Sequence, residues 1–430
     1  MNHLAVYCAS SIMILSGTLA HADNPETSEM ITDIAHSIEA NYVFPEIGEQ
    51  ASAMILSNLK NGNYDGLDRQ MLANQLEEEL RDLTHDLHFG VRALPQGWQP
   101  PSDEEENDKD DDASTIMRGP AAPFGFISVQ RLDGNVGYID LRGFNPAPFI
   151  EETVEASMQL MQGANSIVFD LRKNGGGDPA AVQLISSYLF DPSEPIHLNS
   201  LYYRPDDRTT EFWTHADINT DLAMPDVPVY VLTSKRTFSA AEEFTYNLKN
   251  LKRATIIGET TGGGAHPVDS FIFDNQLMIV LPIARAINPI SGTNWEGTGV
   301  APDIQSDADE ALDVAIAHAL QNAYNNGDKS ARWGLAAIKA KNDPIQCSPK
   351  ELAAYAGDYG PRHVRIEQGS PQYKRDGVSQ WTNLVCIEKD QFMIAGVDGF
   401  IMEFKRDEKN KIIGIEGHQQ RGPIDFTPRD

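Results

Sequence analysis

Four short stretches hold residues whose types and spacing could do chemistry. In the first, VPVYVLTSKRTFSAAEEFTYNLKN (Val227 to Asn250), β-branched and aromatic residues end at a polar turn. Ala240, Ala241, Phe244 and Leu248 then follow at helical spacing, which predicts strand, turn and helix with Ser239 in the first helical turn. A serine there has two uses. It can cap the orphan amides of the helix start, or it can act as a nucleophile whose developing negative charge those same amides hold. The second stretch, SIVFDLRKNGGGDP (Ser166 to Pro179), runs a core strand into Gly175, Gly176 and Gly177. Without Cβ atoms such a loop takes positive φ and lets backbone amides approach a ligand, or it is simply a turn. It lacks the spacing of a dinucleotide or phosphate-binding loop, so no nucleotide is expected. The third is GETTGGGAHP, with Gly263, Gly264 and His266, and the fourth is NWEGTGVAPDI (Asn294 to Ile304).

Several classes of partner are excluded by charge. The 430-residue chain carries a formal net charge of −29, which repels phosphate and anionic membrane and disfavours nucleic acid. Part of that acidity is local: DEEENDKDDD (Asp103 to Asp112) reads as a solvated linker. The start reads as an export signal, with an apolar core up to Ala20 and a small-x-small site at Ala20-His21-Ala22, although Met1-Asn2-His3 lacks the usual basic residue. A periplasmic or secreted protein without a membrane span after cleavage is therefore expected. Cys8 lies in that leader, and Cys347 and Cys386 are then the remaining cysteines, free to pair in an oxidising compartment.

The elements that must position these stretches follow from periodicity. Residues 1–22 are assigned to the signal and 23–92 to an N-terminal helical domain, since MITDIAHSIEANYVF, EIGEQASAMILSNLKN and DRQMLANQLEEELRDL each carry a helical pattern. An acidic, Pro-rich linker occupies 93–122. Residues 123–328 alternate strand and helix, predicting an α/β core. A linker helix at 329–347 leads to a small all-β domain at 348–430, where short alternating strands are separated by turn residues.

Taken together, RTFSAAEEF, DLRKNGGG, GETTGGG and GTGVAPDI resemble the serine peptidase family that contains the C-terminal processing peptidases, the tricorn core protease and the interphotoreceptor retinoid-binding protein repeats. The resemblance covers about Glu26 to Ala319 and implies a crotonase-like α/β core. It implies Ser239 as nucleophile, with an oxyanion hole made by the Ala240 amide and an amide from Gly175 or Gly176. Processing peptidases activate their serine with a lysine about one helix and one strand later. Here that place reads Thr261-Gly262-Gly263-Gly264-Ala265-His266, so a Ser-Lys dyad is not expected.

The tricorn-like branch instead implies serine, histidine and carboxylate. THDLHFGVR offers His85 and His88, and Asp86-Leu87-His88 matches the branch's Asp-x-His pattern, so His88 is assigned as general base. Glu296, ahead of Gly297-Thr298-Gly299-Val300, is assigned as its orienter. His266 is the rival base or, with Gly263 and Gly264, part of a substrate pocket. No PDZ domain fits between Arg92 and Ala121. The expectation is an exported serine endopeptidase acting through an acyl-enzyme on peptide or protein substrates, without cofactor or metal. The alternative is a non-catalytic ligand- or peptide-binding protein on the same fold. Oligomeric state is not encoded in any of these features.

Overall fold

The computed structural model describes residues 25–100, 123–397 and 399–430. The proposed signal, Cys8 and the acidic stretch from Asp103 lie outside these residues. The chain divides into two compact units, one formed by Met1–Asp110, Arg204–Asp206 and Val268–Ile283, the other by Asp111–Tyr203, Asp207–Pro267 and Ala284–Asp430. Among the described residues no helix is long and apolar enough to cross a membrane.

In the first unit, α1 (Pro25–Asn41), α2 (Pro45–Lys60) and α3 (Arg69–Thr84) occupy the three segments whose apolar residues recur at helical spacing. Met30, Ile31, Ile34 and Ile38 of α1, Ala51 and Ile55 of α2, and Leu72, Leu76 and Leu80 of α3 are buried, so each helix turns one stripe inward. Asp68 caps α3 by accepting from the Met71 amide, and the helix ends at His85, whose φ of 56° puts it in the left-handed region. Strand β1 (Gly90–Ala93) then pairs antiparallel with Leu277–Pro282, which pairs in turn with Val268–Phe273. That hairpin arrives from almost two hundred residues downstream, and no periodicity in the sequence announces its destination.

The second unit is built on a six-stranded sheet. Its strands are β2 (Phe126–Leu132), β3 (Val136–Leu141), β4 (Ser166–Asp170), β7 (Val229–Thr233), β8 (Ala254–Gly258) and the short strand Ile304–Gln305. All neighbouring pairs are parallel except β2 with β3. Parallel strands need crossovers, which α4 (Ala147–Met161), α5 (Pro179–Ser187) and α6 (Ala240–Asn250) supply. Val229 and Val231 pack with Ile150, Val182, Phe244 and Leu248 on one face. Tyr230 and Leu232 pack with Ala311, Ala315 and Ala319 of α7 (Ala311–Asn325) on the other. Both faces are covered, so β7 is a continuous buried run rather than an alternation.

Strands β5 (His197–Tyr203) and β6 (Arg208–Trp213) form a separate antiparallel sheet with Ala284–Ile287. After α8 (Arg332–Asn342) and α9 (Pro349–Tyr355) comes an eight-stranded antiparallel meander over Gly357–Pro428. The Asp430 amide donates to the Asp358 carbonyl at 3.0 Å, bringing the last residues back to the first strand of this sheet. Its core gathers Tyr355, Tyr359, Phe392, Met402, Phe404 and Ile415. The fold is therefore mixed α/β with a helical N-terminal region and a barrel-like C-terminal sheet.

Candidate active site

Ser239 stands at the junction of β7 and α6, reached by a turn tied down on every side. The Thr237 hydroxyl donates to the Leu171 carbonyl (2.8 Å) and accepts from the Ser234 amide (3.0 Å). The Ser234 hydroxyl donates to the Arg172 carbonyl at 2.6 Å, and the Phe238 amide donates to the Asn174 carbonyl at 3.1 Å. Three of these four bonds join the serine turn to the loop after β4, so the two loops are tied together. Asn174 is fully buried and is its hub: its Nδ2 donates to the Leu141 carbonyl at 3.0 Å, and its Oδ1 accepts from the Gly176 amide at 2.8 Å.

The backbone of Ser239 has φ 53° and ψ −124°, a region that L residues rarely occupy and that costs about 1–3 kcal/mol. An ordinary N-cap is extended, and its hydroxyl accepts from the first helical turn. Here φ is positive, yet Ser239 keeps both halves of a capping box with Glu242, whose amide also donates to the Ser239 carbonyl at 2.8 Å. The strain is held by the surrounding stitches and leaves the side chain half-buried.

Glycine is required opposite the serine. Gly176 has φ +110°, and a Cβ on it would lie 2.8 Å from the Ser239 Cβ and 3.0 Å from both the Ala240 nitrogen and the Phe238 oxygen. Gly177, at φ +141°, would drive a Cβ to 2.0 Å from the Phe144 oxygen, because the Phe144 and Asp178 amides clamp this loop to the segment after β3. The Gly176 amide is spent on Asn174, whereas no backbone carbonyl among the described residues accepts from the amides of Gly175 or Ala240. Of the two loop glycines expected to donate to an oxyanion, Gly175 is thus the one with its amide uncommitted.

Glu242 was part of the motif read in the sequence but had no role there. It is fully buried, and its carboxylate accepts from the Ser239 amide (2.9 Å), the Gly263 amide (2.7 Å), the Gly264 amide (2.8 Å) and the Thr261 hydroxyl. Burial pushes this carboxyl above its ordinary value, and the four donors pull in the opposite direction. The amides of Gly263 and Gly264 are therefore occupied in holding Glu242. The Ser-x-x-Glu spacing of a capping box was the available signal, and both halves of the box are present. Beside it, Glu243 is 4% exposed and its carboxyl is pushed up to about 7, by burial first and by the charge of Asp178, against the amide groups of Asn199 and Asn247.

The glycine-rich loop after β8 connects this centre to Glu296. The Gly297 amide donates to the Gly263 carbonyl (2.9 Å), the Trp295 indole to the Gly264 carbonyl (2.6 Å) and the Val300 amide to the Thr261 hydroxyl (2.7 Å). Glu296 Oε2 accepts from the Ala265 amide at 2.5 Å and lies 3.4 Å from Nδ1 of His266, which is 4% exposed. A run of hydrogen bonds thus links the serine turn, through Glu242 and the glycine loop, to a histidine and carboxylate pair.

His88 lies in the first unit, in the turn between α3 and β1. Asp86 is almost fully buried there and accepts from the His88 amide at 3.0 Å, while its Oδ1 is 3.9 Å from His88 Nδ1 and its Oδ2 accepts from the Tyr42 hydroxyl at 3.4 Å. This is the side-chain-to-backbone turn that an Asp two residues ahead favours. His85, the other histidine of the motif, terminates α3.

The model of peptidase family S41 matches residues 135–306, and the model of the family's N-terminal domain in eukaryotic IRBP matches residues 22–122. Carboxyl-terminal-processing peptidase 2 of the Arabidopsis thaliana chloroplast is 29% identical over 171 residues, 39% of this chain and 31% of that one. The C-terminal processing peptidase of the Tetradesmus obliquus chloroplast is 30% identical over 179 residues, 40% of this chain and 35% of that one. This chain therefore spans about a third of the length of the curated relatives it matches. The solved photosystem II D1 C-terminal processing protease overlays 65% of this chain and 93% of its own at 16% identity, with a TM-score of 0.43. The two family models together account for more than half of the residues, and the chain belongs to peptidase family S41.

Proposed function

We propose that the protein is an exported serine peptidase that hydrolyses peptide bonds through an acyl-enzyme on Ser239, using a core of the crotonase type. The observation that carries this reading is the backbone of Ser239, which is strained and pressed against Gly176 beside two uncommitted amides. A structural serine has no need of such an arrangement. In the reaction a neutral imidazole takes the Ser239 proton as the oxygen attacks the scissile carbonyl. The amides of Ala240 and Gly175 receive the oxyanion, the imidazolium returns its proton to the leaving amine, and water releases the acyl group by the same route.

His88 is the base in this proposal, on the strength of the Asp86-Leu87-His88 motif, with Glu296 as orienter. A second reading makes His266 the base, favoured by its 3.4 Å approach to Glu296. Labelling with a fluorophosphonate probe separates them. Ser239→Ala abolishes labelling, His88→Ala abolishes it and His266→Ala only weakens it. The reverse order of the two histidines moves the base to His266. Folded protein that takes no label at all supports the non-catalytic binding alternative, towards which the match of residues 22–122 to an IRBP domain points.

A further inference from the structure

Cys347 and Cys386 are 39 positions apart in sequence, yet their sulfurs lie 2.9 Å from each other, inside the ordinary contact distance of two sulfur atoms. Both belong to the second unit. Cys347 sits in the segment between α8 and α9, and Cys386 lies on strand Thr382–Glu388 of the C-terminal sheet. The approach is built into the backbone, because the Ile345 amide donates to the Cys386 carbonyl at 2.9 Å and Ser348 starts α9 with both halves of a capping box. The two side chains share a core with Leu352, Tyr355 and Phe392, so neither can swing away without opening it. Among the described residues no other cysteine competes for either sulfur.

We propose that Cys347 and Cys386 form a disulfide, a covalent modification that staples the segment ahead of α9 to the C-terminal sheet when the chain meets a disulfide oxidant. Cys347 is half-buried and begins the exchange, whereas Cys386 is 6% exposed. Burial, reinforced by the neighbouring Cys347, pushes the Cys386 thiol up to about 12, so it is a poor first nucleophile, and its part in the second, intramolecular step rests on its closeness to the Cys347 sulfur. The Cys347 thiolate attacks one sulfur of a small-molecule disulfide and expels a thiolate, leaving a mixed disulfide. Cys386, losing its proton, then attacks the Cys347 sulfur and expels the second thiolate. The two cysteines lose two protons and two electrons, and the oxidant takes them up as two thiols.

The test uses the full chain, purified reduced, incubated with oxidised glutathione and then blocked with iodoacetamide under denaturing conditions. The expected product is lighter by two hydrogens, carries no alkyl group on either cysteine, and yields a peptide that joins residues 347 and 386 until it is reduced. Cys386→Ser stops at a glutathione adduct on Cys347. Oxidation raises the unfolding midpoint of the C-terminal sheet by on the order of 10 °C, and reductant reverses it. Quantitative alkylation of both cysteines after oxidation, or two glutathione adducts without a joined peptide, overturns the proposal. The comparison of oxidised and reduced parent protein decides it even if a variant fails to fold. None of these readouts depends on Ser239.

Discussion

Replacing Gly176 by alanine tests the geometry of the site at its tightest point. At φ +110° an alanine is strained by about 1–3 kcal/mol before any contact is counted. Its Cβ would then meet the Ser239 Cβ at 2.8 Å and the Ala240 nitrogen and Phe238 oxygen at 3.0 Å each, and two of those three atoms are backbone in a stitched turn. Relieving such an overlap typically costs a further 1–3 kcal/mol, roughly, and the displacement falls on Ser239 and Ala240, the proposed nucleophile and one proposed oxyanion donor. Loss of one donor costs roughly 10²–10³ in rate, so Gly176→Ala should label with fluorophosphonate at least about a hundredfold more slowly than the parent. Gly175→Ala is the informative comparison, because a Cβ there meets nothing within 4 Å and the amide is retained. Its loss should be far smaller than that of its neighbour. Labelling rates and thermal midpoints are measured on the same samples. If Gly176→Ala labels within about threefold of the parent while remaining folded, the claim that this glycine sets the position of the serine is wrong.

Three further outcomes follow from buried carboxyls and the clamped loop. Glu243 is raised to about 7, so the native state holds its proton where the unfolded chain has lost it. Stability therefore falls as pH rises from the unfolded carboxyl's range towards 7 and is flat above, a penalty of about 3 kcal/mol. Glu243→Gln should remove it, with chemical denaturation at pH 8 showing a gain that vanishes near the acid end; an equal gain at both pH values would refute the assignment. Glu242→Ala strands four donors around a buried cavity and should cost roughly 3–5 kcal/mol, with labelling of Ser239 lost even in the folded fraction; full labelling would show that Glu242 does not hold the turn. Gly177→Ala should unfold or misassemble the loop, since its Cβ would be 2.0 Å from the Phe144 oxygen, and a thermal midpoint within a degree or so of the parent would contradict the clamp.

Much of the architecture was legible because it is written in local periodicity. The three N-terminal helices, the alternation around the parallel sheet and the short strands of the C-terminal meander each follow from side chains a few residues apart. The strand, turn and helix around Ser239 are also local, and the structure has them at Val229–Thr233 and Ala240–Asn250. Sequence alone left Ser239 with two uses, because an N-cap and a nucleophile are the same residue type in the same place. What the tertiary structure adds is the unusual dihedrals, forced by contacts with the loop after β4. The same holds for Glu242, which looks like a helix-start glutamate until the amides of a loop twenty residues later turn to it. The hairpin Val268–Pro282 could not be assigned to the first unit from sequence, because strand pairing carries no marker of its distant partner. Residue types and short spacings thus determined the chemistry available to this chain, while tertiary structure decided which amides stay uncommitted and which carboxylates are buried. Those outcomes depend on contacts between segments far apart in sequence, where a hydrogen bond satisfied in one place is one removed from another.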